Sequence, residues 1–200
     1  MIKNYISFVL AKPTIFNVIR YIIAGSQENT KQFVEKTLRK YKAKTVLDIG
    51  CGTGDFADAV PSKTNYLGVD INKQYIMFAN DKYASKQKKF LLQDVREKSF
   101  YKNKKFDGVL LVSMMHHLSN KELQELLPIV KKIVKKTVIV ADIIPDPPGF
   151  LRKLMVKFDQ GKYIRPQKEK IAILKKYFKI VRTEIVYSRL AVQYCIVCEV

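Results

Sequence analysis

The sequence predicts an α/β domain with a doubly wound, mostly parallel sheet of seven strands that ends in a C-terminal antiparallel hairpin. From Thr45 onward, short runs of branched apolar residues alternate with helical patterns, which is typical of strand–helix–strand units. The run P-D-P-P-G after Asp142 ends that alternation. Two strand-like runs joined by a very short turn then close the chain, which indicates an antiparallel hairpin.

Five short runs predict parallel strands that are buried on both faces of the sheet. They are Thr45–Ile49, Tyr66–Ile71, Lys89–Gln93, Phe106–Val112 and Thr137–Ala141. The two strands of the hairpin are assigned to Ile180–Tyr187 and Ala191–Val200. Because crossovers between parallel strands are right-handed, we expect helices on both faces.

Helical patterns separate these strands. The longest predicted helix is Asn120–Val134, in which the leucines at 123, 126 and 127 share one apolar face with the valine at 130. Asp55–Val60 is predicted to start another helix. The remaining predicted helices are Lys73–Tyr83, Phe150–Phe158 and Gln167–Phe178.

The charge of the chain is strongly positive, with 37 Lys and Arg against 18 Asp and Glu, a formal net charge of +19. Such a field attracts nucleic acids, acidic lipid headgroups or anionic substrates. The excess is mostly lysine scattered along the chain, which favours an ordinary solvated surface. Because no Arg-rich or aromatic-interleaved RNA-binding pattern accompanies it, nucleic acid is the less favoured partner.

The three cysteines do not form a disulfide framework. Cys195 and Cys198 are three positions apart in a predicted strand, which places their sulfur atoms on opposite faces and argues against a metal or redox site. We therefore expect a reduced, cytoplasmic protein without a metal.

The N-terminal segment is apolar and basic. It resembles a signal peptide only superficially, because no small-residue cleavage site follows. Lys12, Pro13, Asn17 and Arg20 interrupt it too often for a transmembrane span. A helix over Pro13–Ala24 is expected to pack on the domain or over its site, and an interfacial membrane helix is the alternative.

The loop after the first strand carries three glycines on alternate positions, Gly50, Gly52 and Gly54. Glycines permit close approach of the backbone, and the carboxyl ends of parallel strands are where open α/β sheets bind ligands. The spacing is neither a phosphate loop nor G-x-G-x-x-G. Asp48, two residues before Gly50, would repel a pyrophosphate and suits a ligand that carries a positive charge.

Four motifs resemble those of class I S-adenosylmethionine-dependent methyltransferases. V-L-D-I-G-C-G-T-G resembles the first motif, Y-L-G-V-D-I the second, Q-D-V the third and F-D-G-V-L-L-V-S-M-M-H-H-L the fourth, from about Thr45 to Asp142. The closing hairpin is similar to the last two strands of that family. The resemblance implies a Rossmann-like methyltransferase fold, S-adenosylmethionine as cofactor and S-adenosylhomocysteine as product. The subgroup it resembles is the small-molecule enzymes that include quinone methyltransferases.

The resemblance also divides the chain, which we expect to be a single domain over residues 1–200. A helical extension would occupy residues 1–42 and the cofactor-binding core residues 43–142. An insertion that covers the substrate would occupy residues 143–178, and the hairpin residues 179–200.

In the first motif, the resemblance implies that Asp48 orients the aminocarboxypropyl end of the cofactor through water or through the loop. Gly50, Gly52 and Gly54, with Cys51 among them, would bring backbone groups to its methionine moiety.

In the later motifs, Asp70 would bind the ribose hydroxyls, although it could instead cap the helix that starts near Asn72. Asp94 would accept the adenine amine, although it could instead be a turn residue. Ile71 and Val95 would sandwich the adenine, and the backbone of Val95 would donate to it. Ser113 would lie beside the sulfonium.

The two histidines of the chain, His116 and His117, follow the fourth strand. Imidazole is able to accept a proton near pH 7, so His116 is a candidate catalytic base. His117 is a second catalytic candidate, and in similar enzymes a histidine in its place shapes the cofactor pocket. Asp142, at the end of the fifth strand, is expected to face the site.

Motifs that the sequence lacks exclude several classes of methyl acceptor. Ser113-Met114-Met115-His116 is not the Asn/Asp-Pro-Pro-aromatic motif of amino-directed nucleic-acid methyltransferases. No cysteine follows a proline as the nucleophile of cytosine-C5 enzymes does, and the carboxylate cluster of metal-dependent catechol-type enzymes is missing. We therefore expect a small-molecule acceptor, with oxygen favoured over nitrogen or carbon as the methylated atom.

The segment D-Q-G-K-Y-I-R-P after the predicted helix Phe150–Phe158 is too particular for a plain linker. Tyr163 and Arg165 are candidate ligands of an aromatic or anionic acceptor; a turn with an Arg165–Asp159 pair is the alternative.

Three other functions stay open: methylation of a lipid or quinone-like acceptor at a membrane surface, methylation of RNA or protein, and a non-catalytic cofactor-binding subunit. Oligomeric state is not predicted.

Overall fold

The computed structural model describes residues 18, 21, 25–159 and 161–200, and the side chains of all of these except 98 and 158. The N-terminal helix predicted over 13–24 falls almost wholly outside the described residues. Within them, no helix is long and apolar enough to cross a membrane.

Seven strands form one sheet in the order β3-β2-β1-β4-β5-β7-β6. The five parallel strands are β1 (Thr45–Ile49), β2 (Asn65–Asp70), β3 (Lys88–Leu92), β4 (Phe106–Val112) and β5 (Val134–Ile143). The antiparallel hairpin consists of β6 (Lys179–Ser188) and β7 (Ala191–Glu199), and β7 pairs with β5. The predicted fold class is confirmed, and β1 and β4 are the neighbours between which the strand order reverses.

Six α-helices of the described chain surround this sheet. They are α1 (Glu28–Lys40), α2 (Lys73–Tyr83), α3 (Lys98–Tyr101), α4 (Asn120–Ile133), α5 (Phe150–Phe158) and α6 (Gln167–Lys175). Helix α4 begins with a capping box in which Ser119 and Glu122 satisfy each other's backbone N–H groups. Sequence reasoning missed α3, which has only four residues.

The helix predicted to start at Asp55 is instead a short 3-10 helix, Asp55–Ala59. Pro61 provides the physical reason, because a residue before proline is driven into the extended region. Val60 has φ −93° and ψ 131° and stops the helix.

Two apolar layers cover the two faces of the sheet. One contains α1, α2 and the 3-10 helix, and the other contains α3, α4 and α6. Cys195 lies in the first layer and Cys198 in the second, and both side chains are fully buried. The predicted placement of these two sulfur atoms on opposite faces is therefore correct, and they are free thiols.

Candidate active site

The glycine loop follows β1 at the carboxyl edge of the sheet. Gly50, Gly52 and Gly54 all have positive φ, at 72°, 55° and 84°. A Cβ on Gly54 would stand 2.9 Å from the ring of Phe90, so this glycine allows α2 and β3 to pack against the loop. A Cβ on Gly52 would meet no atom within 4 Å, which shows that the loop is open to a ligand at this position.

Asp70 ties the tip of β2 to this loop. Its Oδ2 atom accepts a hydrogen bond from the backbone N–H of Gly52 at 2.9 Å, and its Oδ1 atom accepts one from Asn72 at 2.8 Å. Helix α2 is capped by Asn72, whose side chain accepts from the N–H groups of Gln74 and Tyr75. The capping role considered for Asp70 therefore belongs to Asn72, and Asp70 borders the open side of Gly52.

Asp48 lies beneath the loop and is buried, with 2% of its surface exposed. Its carboxylate accepts a hydrogen bond from the hydroxyl of Tyr66 at 2.7 Å. Burial raises the pKa of Asp48 to about 7, with a smaller contribution from the charge of Asp70, against the opposing effect of the Tyr66 hydrogen bond. Cys51 is partly buried beside these acids, and burial raises the pKa of its thiol. A buried carboxylate beneath an open loop suits a ligand that carries a positive charge. Asp48 would attract such a ligand electrostatically, without touching it.

The end of β3 places Asp94 next to the same edge. Its carboxylate is held by Arg96, which donates from its backbone N–H at 2.9 Å and from its guanidinium at 2.7–3.1 Å. These contacts, the hydrogen bond from Arg96 before all others, hold the pKa of Asp94 below its usual value against the opposing effect of burial. Val95 is buried, whereas Ile71 is 73% exposed and presents an apolar surface beside Asp70. An adenine amine would compete with Arg96 for the carboxylate of Asp94.

The loop after β4 lies against the glycine loop, since a Cβ on Gly50 would stand 3.2 Å from that of Met114. Ser113 has φ 50°, its N–H donates to the carbonyl of Ala141 at 2.7 Å, and its hydroxyl accepts from Gln193 at 2.9 Å. Met114, the neighbour of Ser113, thus contacts the first motif, and the place of Ser113 beside the sulfonium stays a prediction.

His116 is buried, with 2% of its surface exposed, under the loop after β4. Its Nδ1 atom is hydrogen-bonded to Oδ1 of Asp142, which is completely buried inside β5. Strand β5 runs two residues beyond the predicted Ala141, so Asp142 lies inside the strand and its carboxylate faces His116. Lys170 of α6 is also completely buried, and its ammonium lies 3.6 Å from Oδ2 of Asp142.

Residues 159 and 161–165, which we call the strap, lie against His116. Oδ1 of Asp159 is 3.5 Å from Nε2 of His116, and the N–H of Tyr163 donates to the carbonyl of His116 at 2.9 Å. Gly161 packs on the imidazole edge, and its N–H donates to Asp159 at 2.6 Å. Sequence reasoning noticed the unusual spacing of this segment but did not assign Asp159, Gly161 or Lys170 to the site.

Arg165 holds the strap in place. Its five guanidinium donors are all used: Nε and Nη2 donate to the side chain of Asn120, Nη1 to the carbonyls of Met115 and Tyr163, and Nη2 also to that of Leu118. With 5% of its surface exposed, it has no donor left for an acceptor. This geometry does not favour the predicted ligand role of Arg165, and the Arg165–Asp159 pair is replaced by contacts to the loop. Tyr163 is 41% exposed and its ring lies 5.5 Å from the guanidinium of Arg165.

His117 differs from its neighbour, because it is exposed at the surface. Its ring centre is 4.2 Å from that of His116. In the described part of the chain, no group of three or more His, Cys, Asp and Glu residues is arranged to hold a metal ion. The site therefore combines an open glycine loop with one buried and one exposed histidine.

Comparison with known proteins agrees with this geometry. Residues 46–137 match the family described as "Methyltransferase domain". Phosphoethanolamine N-methyltransferase 1 of Zea mays is 44% identical over 61 residues, which are 30% of this chain and 12% of the maize protein. The chain spans only 12–24% of the length of the curated relatives it matches.

The fold is shared with solved methyltransferases. Magnesium protoporphyrin IX methyltransferase from Synechocystis with bound S-adenosylmethionine superposes with a TM-score of 0.68 and 17% identity, over 98% of this chain and 96% of that one. An O-methyltransferase family protein from Burkholderia thailandensis gives a TM-score of 0.72 at 13% identity, over 94% and 59%. Residues 46–137 thus match a methyltransferase domain, and the chain has the Rossmann-like fold of the class I S-adenosylmethionine-dependent methyltransferases.

Proposed function

We propose that this chain binds S-adenosylmethionine and transfers its methyl group to a small-molecule acceptor, with oxygen the favoured acceptor atom. The observation that carries the proposal is the open side of Gly52, bordered by Asp70 and underlain by Asp48. Beside it, the loop after β4 brings an exposed histidine to the same edge of the sheet.

The residues present fit this cofactor. When bound, S-adenosylmethionine supplies an electrophilic methyl group on a cationic sulfur. Asp48 would favour the positive charge from below, Asp70 would bind the ribose, and Gly50, Gly52 and Gly54 would admit the methionine moiety. Ile71 would provide an apolar face for the adenine, and the protein would contribute mainly proximity and alignment.

The comparisons with known proteins support the cofactor more strongly than they support any one acceptor atom. The relatives named as phosphoethanolamine N-methyltransferases act on nitrogen by their names, but the maize match covers only 61 residues. O-methyltransferases share the fold at low identity. We favour oxygen because a hydroxyl must lose a proton, which the exposed imidazole of His117 would accept.

Calorimetric titration with S-adenosylmethionine and S-adenosylhomocysteine tests the cofactor. We expect binding by the wild type, and loss of binding in Asp70→Ala and Gly52→Ala. Gly149→Ala is the matched control for Gly52→Ala, since Gly149 also has positive φ (93°) and open space at its Cβ position, but lies outside the loop. Absence of binding by the folded wild type, or an equal loss in Gly149→Ala, would contradict the proposal.

Helix α5 favours a second candidate, in which the acceptor is presented at an acidic membrane surface. Its first residues Phe150 and Leu151 are 78% and 58% exposed, and Arg152, Lys153 and Lys157 are its charged residues. An exposed apolar end with basic neighbours, on a chain of net charge +19, suits an anionic bilayer.

Co-sedimentation with phosphatidylcholine vesicles, with and without phosphatidylglycerol, tests this candidate. We expect binding only with the anionic lipid and a loss of binding in the double variant Phe150→Ser/Leu151→Ser. Met77→Ser, which changes a residue 62% exposed on α2, is the control. Binding that survives in the double variant would exclude α5 as the contact.

A further inference from the structure

The two histidines of the chain are adjacent in sequence but have opposite surroundings. His116 is buried and contacts both β5 and the strap, whereas His117 is exposed and its ring, tilted by 43°, lies 4.2 Å centre to centre from that of His116. A buried imidazole and an exposed imidazole are suited to different tasks.

Both ring nitrogens of His116 face carboxylates. Nδ1 is hydrogen-bonded to Asp142 of β5, and Nε2 lies 3.5 Å from Oδ1 of Asp159 in the strap. A neutral imidazole has one N–H donor and one acceptor nitrogen, so it would turn a lone pair toward one of these carboxylates. An imidazolium is able to donate to both, and this geometry favours it.

The charges around His116 balance only when it is protonated. Asp142 and Asp159 contribute two negative charges, and Lys170 of α6 contributes one positive charge 3.6 Å from Asp142. An imidazolium supplies the second positive charge. Without it, two carboxylates, of which Asp142 is completely buried, would share one positive charge, which is costly.

The electrostatics of the two rings agree with this balance. Burial alone would lower the pKa of His116, but the hydrogen bond to Asp142 and the charges of Asp142 and Asp159 raise it overall, against Lys170. Desolvation of its ring and then the charge of His116 lower the pKa of His117, against the attraction of Asp159 and Asp142. His116 therefore holds its proton to higher pH than His117 does.

We infer that His116 is a positioning residue, a buried imidazolium that fastens the strap to the loop after β4, and that His117 is the general base. The inference deepens the proposed function and depends on it for the reaction. In that reaction the acceptor oxygen forms the bond to the methyl carbon, and the electron pair of the carbon–sulfur bond stays on sulfur. The hydroxyl proton passes to a ring nitrogen of His117.

Two further contacts support the fastening role. The N–H of Tyr163 donates to the carbonyl of His116, and Arg165 binds the carbonyls on either side of the histidine pair. The strap thus reaches His116 through its side chain and through its backbone, and the ring of Tyr163 is half-exposed at this contact.

Nuclear magnetic resonance titration of the full chain, labelled with ¹⁵N-histidine, tests the inference without an acceptor. Only two imidazoles contribute signals, and His116→Gln and His117→Gln assign them. We expect both ring nitrogens of His116 to be protonated at neutral pH, and His117 to titrate at a lower pH than His116.

Asp159→Asn should lower the pKa of His116 by on the order of one unit, since it removes a nearby negative charge. Asp146→Asn is the matched control, because Asp146 is an exposed acid paired with Lys153 just before α5. The inference is overturned by a neutral His116 at pH 7, by a His117 that titrates above His116, or by equal shifts in both aspartate variants. The wild-type titration decides the charge of His116 even where Asp159→Asn is unstable.

Failure here is distinguishable from failure of the proposed function. The titration reports the protonation of the two histidines whether or not a cofactor binds, whereas calorimetry reports cofactor binding alone. Once a hydroxylated acceptor is known, His117→Gln should reduce kcat over the whole pH range. His116→Gln should mainly raise KM, because it loosens the strap, and the opposite pattern would overturn the assignment.

Discussion

Gly161 lies so close to His116 that a Cβ atom on Gly161 would stand 2.2 Å from Cδ2 of the imidazole. No side chain fits between the strap and the ring without moving one of them. The contact explains why a glycine occurs at this point of the segment, and it joins the strap to the loop after β4.

The first prediction concerns this contact. Gly161→Ala should lower the free energy of unfolding by about 1–3 kcal/mol, because the methyl group overlaps the ring. In a His116→Ala background the same change should cost clearly less, since the ring is gone. Urea denaturation of the four proteins of this double-mutant cycle measures the coupling. Equal costs in the two backgrounds would show that the ring does not restrict Gly161.

The second prediction concerns Arg165. Arg165→Ala should lower the free energy of unfolding by about 2–5 kcal/mol, because it leaves several carbonyl groups of the buried loop without donors. Arg182→Ala, at a residue whose side chain is 53% exposed and paired with Glu184, should cost less than about 1 kcal/mol. Chemical denaturation compares them. If both variants lose a similarly small free energy of unfolding, Arg165 is not a structural residue and is again a candidate ligand of the acceptor.

The third prediction is a pH dependence of stability. The folded-state pKa of His116 is raised, so its contribution is fully present below the pKa of the unfolded state and is lost as pH rises through the folded value. The difference in unfolding free energy between wild type and His116→Gln should therefore shrink over the pH range that begins at the ordinary histidine pKa of about 6.5 and extends upward. Denaturation curves across this range measure it, and a difference that grows with pH would have the wrong sign.

The fourth prediction concerns Asp48, whose pKa is raised by burial to about 7. A cation bound above the loop favours the ionised carboxylate, so cofactor binding at pH 7 should release up to about half a proton from Asp48. Calorimetric enthalpies in phosphate and Tris buffers should differ by the matching ionisation enthalpy. The part of that difference contributed by Asp48 should vanish in Asp48→Asn; an unchanged difference would exclude it as the source.

The strands and the glycine loop could be predicted from the sequence because their signals are local. Thr45–Ile49 and Phe106–Val112 were placed at their observed bounds, since a parallel strand buried on both faces is a continuous apolar run. The alternation of side chains along a strand was also enough to separate Cys195 from Cys198.

The interior of the site could not be predicted in this way. Lys170 stands in a basic, amphipathic pattern that normally faces water, and only the packing of α6 on β5 brings it to Asp142. Asp159 reaches His116 across a sequence separation that no periodicity encodes. Arg165 was assigned to the acceptor because a conspicuous arginine has the same sequence signal whether its donors bind a substrate or a loop.

The burial of Cys195 in one apolar layer and of Cys198 in the other gives the chain two built-in reporters of local opening. A thiol reagent should modify Cys195 when the layer that contains α1 separates from the sheet, and Cys198 when the layer of α4 and α6 does. Cys51, partly buried in the glycine loop, reports the loop itself. The native cysteines alone therefore allow the order in which the two faces and the loop open to be measured.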